Sequence, residues 1–298
     1  MTVTWTIKSL LNVTADYLEK KGIESPRLTS EVLLAHQLGV DRVYLYINFD
    51  RPLNQMEISG YRALIKRRLG REPLQYITGV QEFWSLEFAV DKRVLIPRPE
   101  TELLVETCLD LVRTGPGDRG RPPGILDLCT GSGILAICLA KEIPEARIWA
   151  TDVSEDALDL ARQNAKTHGV LERIEFRQGN LWEPMRGKNI MFDIILSNPP
   201  YVALEDYNGL PPEVRNHEPR RALDGDLEGM KYLKKIIAGS VDFLEPGGWV
   251  LMEMAPDQTA MALDLIEGID DYGERSRIKD YSHRHRVVAA RKLPPHIT

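Results

Sequence analysis

Four short segments of strand character constrain this chain more than any other feature. Residues 125–128 (I-L-D-L), 147–151 (R-I-W-A-T), 174–177 (I-E-F-R) and 191–197 (M-F-D-I-I-L-S) each have strand length. The first two are followed by stretches of helical spacing, 134–141 and 157–168. Beyond them, 232–244 reads as a helix, 245–248 (E-P-G-G) as a turn, 249–254 as a strand and 258–266 as a helix. Residues 276–281 and 286–290 read as closing strands. Strands that alternate with helices in this way predict a parallel, doubly wound α/β sheet. In such sheets ligands bind outside the carboxyl ends of the strands.

The fourth run ends in Asn198-Pro199-Pro200-Tyr201. Two consecutive prolines fix φ and remove two backbone donors, so no strand continues through them. Pro199 also steers Asn198 away from the α region. A stiff loop at a strand's carboxyl end would hold an amide and a phenol side by side. That arrangement suits an amino group conjugated to a carbonyl or a ring, which is a poor nucleophile because its lone pair is delocalised. The side-chain oxygen of Asn198 and the carbonyl of Pro199 would accept its two hydrogens and aim the lone pair at an electrophile. Tyr201 would lie against the planar group. The plain alternative is a proline-rich surface turn in which Asn198 caps its own backbone.

Residues 129–133 (C-T-G-S-G) form a glycine-rich turn after the first strand, where Gly131 and Gly133 allow close approach of a ligand. Asp152 ends the second strand, where a carboxylate accepts from ribose hydroxyls. Asn180 and Leu181 follow the third, where an adenine would be sandwiched. These positions fit a dinucleotide, but G-x-G-x-x-G is absent, and so is a Walker A loop. Asp127, before the turn, would place a carboxylate near a cationic or amino group, which suits S-adenosylmethionine better than a pyrophosphate. A plain βα turn and a helix cap are the structural alternatives for the glycines and for Asp152.

The remaining sequence sets bounds. The chain has 298 residues, a net charge of −6 and a pI near 5.6, which argues against affinity gained by neutralising nucleic-acid phosphates. Cys108, Cys129 and Cys138 lack metal-ligand spacing and fit a reduced, cytoplasmic compartment. His283 and His285 alternate on a closing strand, and no metal site is expected. No signal peptide or membrane span is expected either. Residues 5–75 read as helices, including 55–69, whose Arg62, Lys66, Arg67 and Arg68, with Arg71, form a basic face that reads as solvated, with docking onto an acidic partner as the alternative. Residues 76–96 alternate and are aromatic, which predicts a β-hairpin linking two domains. Thr101 is placed to cap the following helix, and Arg98, between two prolines, reads as a structural ion-pair partner, with gating of a pocket as the alternative. Residues 115–124 read as a loop rich in Gly, Pro and Arg, and 202–231 as a long polar loop above Asn198–Tyr201.

Taken in order, L-I-P-R-P-E-T-E (95–102), D-L-C-T-G-S-G (127–133), N-P-P-Y (198–201) and E-P-R-R-A-L-D-G (218–225) resemble the HemK-type (PrmC-like) release-factor glutamine methyltransferases. The resemblance spans essentially the whole chain. It implies a seven-stranded Rossmann-like class I methyltransferase sheet with a small N-terminal helical domain joined by a β-hairpin. The implied domains are 1–75 for substrate docking, 76–96 as the link and 97–298 for transfer. The implied activity is methylation of the side-chain amide nitrogen of the glutamine in the Gly-Gly-Gln loop of peptide chain release factors, with S-adenosyl-L-methionine as cofactor. Release factors are the implied partners; no direct nucleic-acid or membrane partner is expected. Carried over, Cys129, Thr130, Gly131, Ser132 and Gly133 border the methionine moiety, and Asp152 binds the ribose. Asn180 and Leu181 border the adenine, while Asn198, Pro199, Pro200 and Tyr201 hold the glutamine amide. Cys129 stands where glycine is frequent, so backbone contact there requires that it need no positive φ. Leu181 stands where some members have an aromatic. Glutamine methylation of a ribosomal protein and amino-group methylation of a nucleic-acid base are the alternatives.

Overall fold

The computed structural model describes residues 4–114 and 120–294. Part of the loop read at 115–124 (residues 115–119), the first three residues of the N-terminal segment and His296 lie outside the described residues. The chain forms two compact units, Met1–Val80 with Pro211–His217, and Gln81–Leu210 with Glu218–Thr298.

The first unit is helical: α1 (Ile7–Lys20), α2 (Pro26–Leu38), α3 (Arg42–Ile47), α4 (Gln55–Leu69) and α5 (Leu74–Thr78). Local sequence sets the ends. Thr6 and Ser9 form a capping box at α1, Asn54 and Glu57 another at α4, and Gly39 closes α2 at φ 66°. Leu11, Leu33, Leu34, Leu45 and Tyr61 fill the core, and the Tyr61 phenol donates to the Ser30 carbonyl at 3.1 Å. Glu31, buried on α2, accepts from Arg27 at 2.6 Å, Arg42 at 2.9 Å and the Tyr46 phenol at 2.6 Å, which ties α3 to α2. Two expectations change here. Residues 76–78 are helical rather than extended, because 74–78 lies between Pro73 and the left-handed Gly79 (φ 78°) and buries Tyr76 and Ile77. The basic face is largely spent on internal pairing. Arg67 pairs with Glu72 at 2.6 Å, and the buried Arg68 pairs with Glu213 at 3.0 Å. Arg71 donates to the Gly22 carbonyl at 2.9 Å.

The second unit begins with a hairpin, β1 (Val80–Phe83) and β2 (Leu86–Ala89). Its two turn residues, Trp84 and Ser85, take φ of 53° and 56°, the sign a tight hairpin needs. Phe83 and Phe88 are buried in this unit's core, and Asn164 fastens the hairpin by accepting from the Ala89 amide at 2.8 Å. The chain continues through α6 (Glu102–Thr114), β3 (Gly124–Leu128), α7 (Ile134–Glu142), β4 (Arg147–Asp152), α8 (Glu155–Thr167), β5 (Ile174–Gln178) and β6 (Phe192–Ser197). Then come α9 (Leu204–Tyr207), α10 (Pro212–His217) in the helical unit, α11 (Lys231–Ser240), β7 (Leu244–Glu253), α12 (Gln258–Glu267), β8 (Tyr272–Lys279) and β9 (His285–Lys292).

The sheet has seven strands in the order β5-β4-β3-β6-β7-β9-β8. It is mixed: β3 to β7 run parallel and β9 pairs antiparallel with both β7 and β8. The parallel run expected from the alternation holds through β7, and the closing strands add an antiparallel end. There a short connection at 280–284 replaces the long crossover a parallel neighbour requires. Residues 245–248 are not a free turn either; they form an irregularity within β7, where pairing with β6 jumps from Phe192–Leu244 to Ile194–Trp249. Apolar side chains cover both faces of the sheet, as buried parallel strands demand. Among the described residues no helix is long and apolar enough to cross a membrane. Strand order reverses between β3 and β6, so the loops after these two strands lie side by side.

Candidate active site

At that reversal a cavity of about 380 Å³ opens, lined by residues of the glycine turn, Asp152, Asn180, Leu181, Asn198 and Pro200. Nine of the twelve residues expected from the sequence line this single space: Cys129, Thr130, Gly131, Ser132, Asp152, Asn180, Leu181, Asn198 and Pro200. Gly133 lies outside the lining and opens α7. Pro199 is buried beneath the loop, and Tyr201 turns away, its phenol donating to Glu253 Oε1 at 3.1 Å.

Backbone geometry builds the floor. Cys129 sits at φ 63°, a left-handed conformation that costs a residue with a Cβ on the order of 1 kcal/mol, so the condition attached to its backbone contact is not met. The turn is held all the same: the Thr130 amide donates to the Thr151 carbonyl at 2.9 Å, and the Thr130 hydroxyl donates to Asp127 Oδ2 at 2.6 Å. Gly133 opens α7 at φ 85°, where a Cβ would lie 3.0 Å from that of Ala161. Leu181 also has positive φ, 48°, which turns the chain back along the cavity after β5.

Asp152 accepts from the amides of Gly131 (3.0 Å) and Ser154 (2.9 Å) while lining the cavity. Burial pushes its carboxyl above the usual range, against those two amides and the charge of Arg221. Asp127 is more extreme. It is fully buried, bonded through Oδ2 to Thr130 and to the Ala136 amide (3.2 Å), and its Oδ1 has no partner among the described residues. Burial pushes its pKa up to about 7. The carboxylate expected at the ligand therefore lies behind the turn and reaches the cavity only through its field and Thr130.

The loop after β6 presents acceptors. The Asn198 Nδ2 donates to Thr101 Oγ1 at 3.0 Å. Its Oδ1 and the Pro199 carbonyl accept no hydrogen bond from the described residues. Thr101 is not a helix cap; it closes a 3-10 turn, Pro99–Thr101, with its hydroxyl buried between Asn198 and Glu253. Arg98 lines the cavity and donates to the buried Glu218 at 2.6 Å. Residues 202–231 are ordered rather than structureless. The Val202 amide donates to the Leu223 carbonyl and the Gly225 amide to the Val202 carbonyl, both at 2.9 Å. This brings Arg221, Lys231, Tyr232 and Lys235 to the cavity, none of which was singled out as a site residue. Only Arg221 carried a signal, its place in E-P-R-R-A-L-D-G. Glu253 carried another, as a charge ending an apolar strand beside β6.

Comparison with known proteins agrees with this geometry. The PrmC N-terminal domain family matches residues 9–79 and the methyltransferase small domain family matches residues 101–209. Among solved structures, a methyltransferase from Pyrococcus furiosus has a TM-score of 0.50 at 17% identity, covering 79% of this chain and 99% of the other. The human methyltransferase 10 domain containing protein also gives 0.50, at 16% identity, covering 70% of this chain and 89% of its own. These two establish the class I methyltransferase fold alone. Closer in sequence are two proteins named release factor glutamine methyltransferase. That of Geobacter sulfurreducens is 44% identical over 88% of each chain, and that of Rhodopirellula baltica is 37% identical over 97% of each. A third, from Chlorobaculum tepidum, is 39% identical over 96% of this chain and 97% of its own. With such identity over nearly its full length, this chain belongs to the release factor glutamine methyltransferase family.

Proposed function

We propose that this protein transfers a methyl group from S-adenosyl-L-methionine to the side-chain amide nitrogen of the glutamine in the Gly-Gly-Gln loop of peptide chain release factors, and so modulates translation termination in the cytosol. The observation that supports this most is a pair of acceptors with no donor among the described residues, Asn198 Oδ1 and the carbonyl of the buried Pro199, on a proline-locked loop whose Asn198 and Pro200 line the cavity. A planar amide has two N–H donors and needs two acceptors to fix its plane. We assign residues 1–75 to docking the protein substrate, 76–96 to the link and 97–298 to transfer.

The residues present fit the cofactor. Asp152, with lone pairs to spare, is placed for ribose hydroxyls, and Gly131 leaves room for close approach. Leu181, and beside it Asn180, offers an aliphatic border for adenine. When bound, the cofactor supplies an electrophilic methyl on a sulfonium sulfur. The chain's part is orientation. Accepting both amide hydrogens turns the nitrogen lone pair toward the methyl and supports positive charge as the N–C bond forms and the S–C bond breaks. The nitrogen then releases its proton to water without a side-chain base, because alkylation makes it acidic. Tyr201 serves as a wall of the loop, not as a stacking surface, since its phenol is committed to Glu253.

The test is methyl transfer from labelled cofactor to a purified release factor and to its Gln→Ala loop variant. Label on the first and none on the second is expected; equal labelling would end this reading.

Asp127 gives a second expectation. A carboxyl raised in the folded state keeps its proton there between about pH 4 and 7, so the stability it contributes is present at low pH and lost as pH rises through about 7. A cationic ligand nearby favours the ionised form. Cofactor affinity, measured calorimetrically, is therefore expected to rise about 3- to 10-fold between about pH 6 and 8, with proton release on binding near neutrality. Asp127→Asn should bind with a flat profile. An unchanged slope in that variant would show that another group carries the dependence.

A further inference from the structure

Beneath the acceptor loop lies a buried polar chain that runs through three elements. Asn198 follows β6, Thr101 closes the turn before α6, and Glu253 ends β7. Thr101 and Glu253 are each 1% exposed. Asn198 Nδ2 donates to Thr101 Oγ1 at 3.0 Å, Thr101 lies beside the Glu253 carboxyl, and the Tyr201 phenol donates to Glu253 Oε1 at 3.1 Å. The other carboxylate oxygen, Oε2, is buried and has no hydrogen-bond partner among the described residues, so it can accept from the Thr101 hydroxyl.

A hydroxyl has one proton and two lone pairs, whereas an ionised carboxylate only accepts. With Glu253 ionised, the Thr101 proton is drawn to the carboxylate, and its lone pairs are left to face Asn198. Only the NH₂ side of the carboxamide satisfies them. Its oxygen is then excluded from this contact and left for a ligand. Without the carboxylate or the hydroxyl, the carboxamide can rotate by half a turn. It would then offer donors to a substrate group that itself only donates. We propose, on the reading of the reaction given above, that Thr101 is a positioning residue: oriented by Glu253, its hydroxyl holds Asn198 in the one rotamer that leaves Oδ1 free for the substrate amide. The arrangement also explains why a carboxylate is buried at the end of an apolar strand, where nothing in the packing calls for one.

Four groups act on Glu253 besides Thr101 or through it. Tyr201 comes from the loop after β6, Arg286 from β9 and Glu100 from the turn before α6; Asp280 lies 3.5 Å from Arg286 Nε and draws on the same guanidinium. Burial lifts the Glu253 carboxyl above its ordinary range and Glu100 adds to this, while Thr101, Tyr201 and Arg286 oppose it without cancelling it. Protonating Glu253 reverses the logic of the chain, so turnover should fall on acidification in step with that group.

The test uses the full-length protein as Thr101→Val and Thr101→Ser. Thr101→Val should lower kcat for release-factor methylation about 10- to 100-fold, with cofactor Kd and substrate KM within about 3-fold. Thr101→Ser should restore kcat to within about 3-fold of the wild type, because the hydroxyl is all that matters. The fall in kcat at low pH should be present in wild type and Thr101→Ser and absent in Thr101→Val. A purely structural role would not move that profile. Equal kcat in Thr101→Val and wild type, or equal loss in both variants, would overturn the proposal. A readout independent of substrate is the Asn198 side-chain NH₂ signal pair, assigned by its disappearance in Asn198→Ala. Its exchange protection should be kept in Thr101→Ser and lost in Thr101→Val. Unchanged protection in Thr101→Val would overturn the positioning role even if the release factor proved not to be the substrate, and absence of wild-type transfer would count against the reaction alone.

Discussion

Replacing Asn198 by Ala is expected to lower methyl transfer about 10²- to 10³-fold or more while cofactor affinity stays within a few-fold. Two losses combine. The substrate amide loses one of its two acceptors, and its plane is no longer fixed relative to the sulfonium methyl. The cofactor keeps Asp152, the glycine turn and Leu181, which stand on β3, β4 and β5 rather than on this loop. Single-turnover rates separate the two effects from binding. A variant with near wild-type turnover would mean that the carboxamide is not an acceptor for the reacting group, whatever else the loop does.

The second large effect is expected at Gly229. It lies at φ 69°, and a Cβ there would sit 2.2 Å from the Tyr201 carbonyl oxygen and 2.3 Å from Gln258 Nε2. Gln258 donates to that same carbonyl at 2.8 Å, so the three groups together hold the back of the Asn198–Tyr201 loop. Gly229→Ala must displace backbone and break this bond in addition to the cost of its φ. A loss of about 2–4 kcal/mol in urea unfolding is expected, with at least a 10-fold fall in kcat. Gly225, whose Cβ would lie 2.8 Å from the Tyr201 Cα, should behave alike. Wild-type stability and turnover in both variants would show that the loop is not braced from this side.

The centre of the sheet was legible because β3 and β6 are apolar runs that fit only a buried core. The helices between them were legible from spacing. What escaped depends on partners far along the chain. Thr101 has the local signature of a cap, and its use as a link between Asn198 and Glu253 appears only when β6, β7 and the turn before α6 converge. The segment after Tyr201 has the composition of an open loop; backbone bonds of Val202 to Leu223 and Gly225 order it, and such bonds leave no mark on side-chain sequence. The backbone at Cys129 was hidden for the opposite reason. Its left-handed φ is imposed by the turn it begins, and the neighbouring structure holds it there despite the preference of a residue with a Cβ. The basic stretch around Arg67 looked like a solvated surface, yet Arg68 pairs with Glu213, which is distant in sequence.

Transfer turns on where two hydrogens of one amide go. A crystal structure of the protein with S-adenosylhomocysteine and a peptide carrying the Gly-Gly-Gln sequence would show this directly. The expected result is a glutamine side chain with its NH₂ about 3 Å from both Asn198 Oδ1 and the Pro199 carbonyl oxygen, the nitrogen facing the sulfur, and Asn198 Nδ2 still on Thr101. A peptide amide held by other groups, or an Asn198 carboxamide turned away from the cofactor's sulfur with no room for a planar group between them, would contradict it.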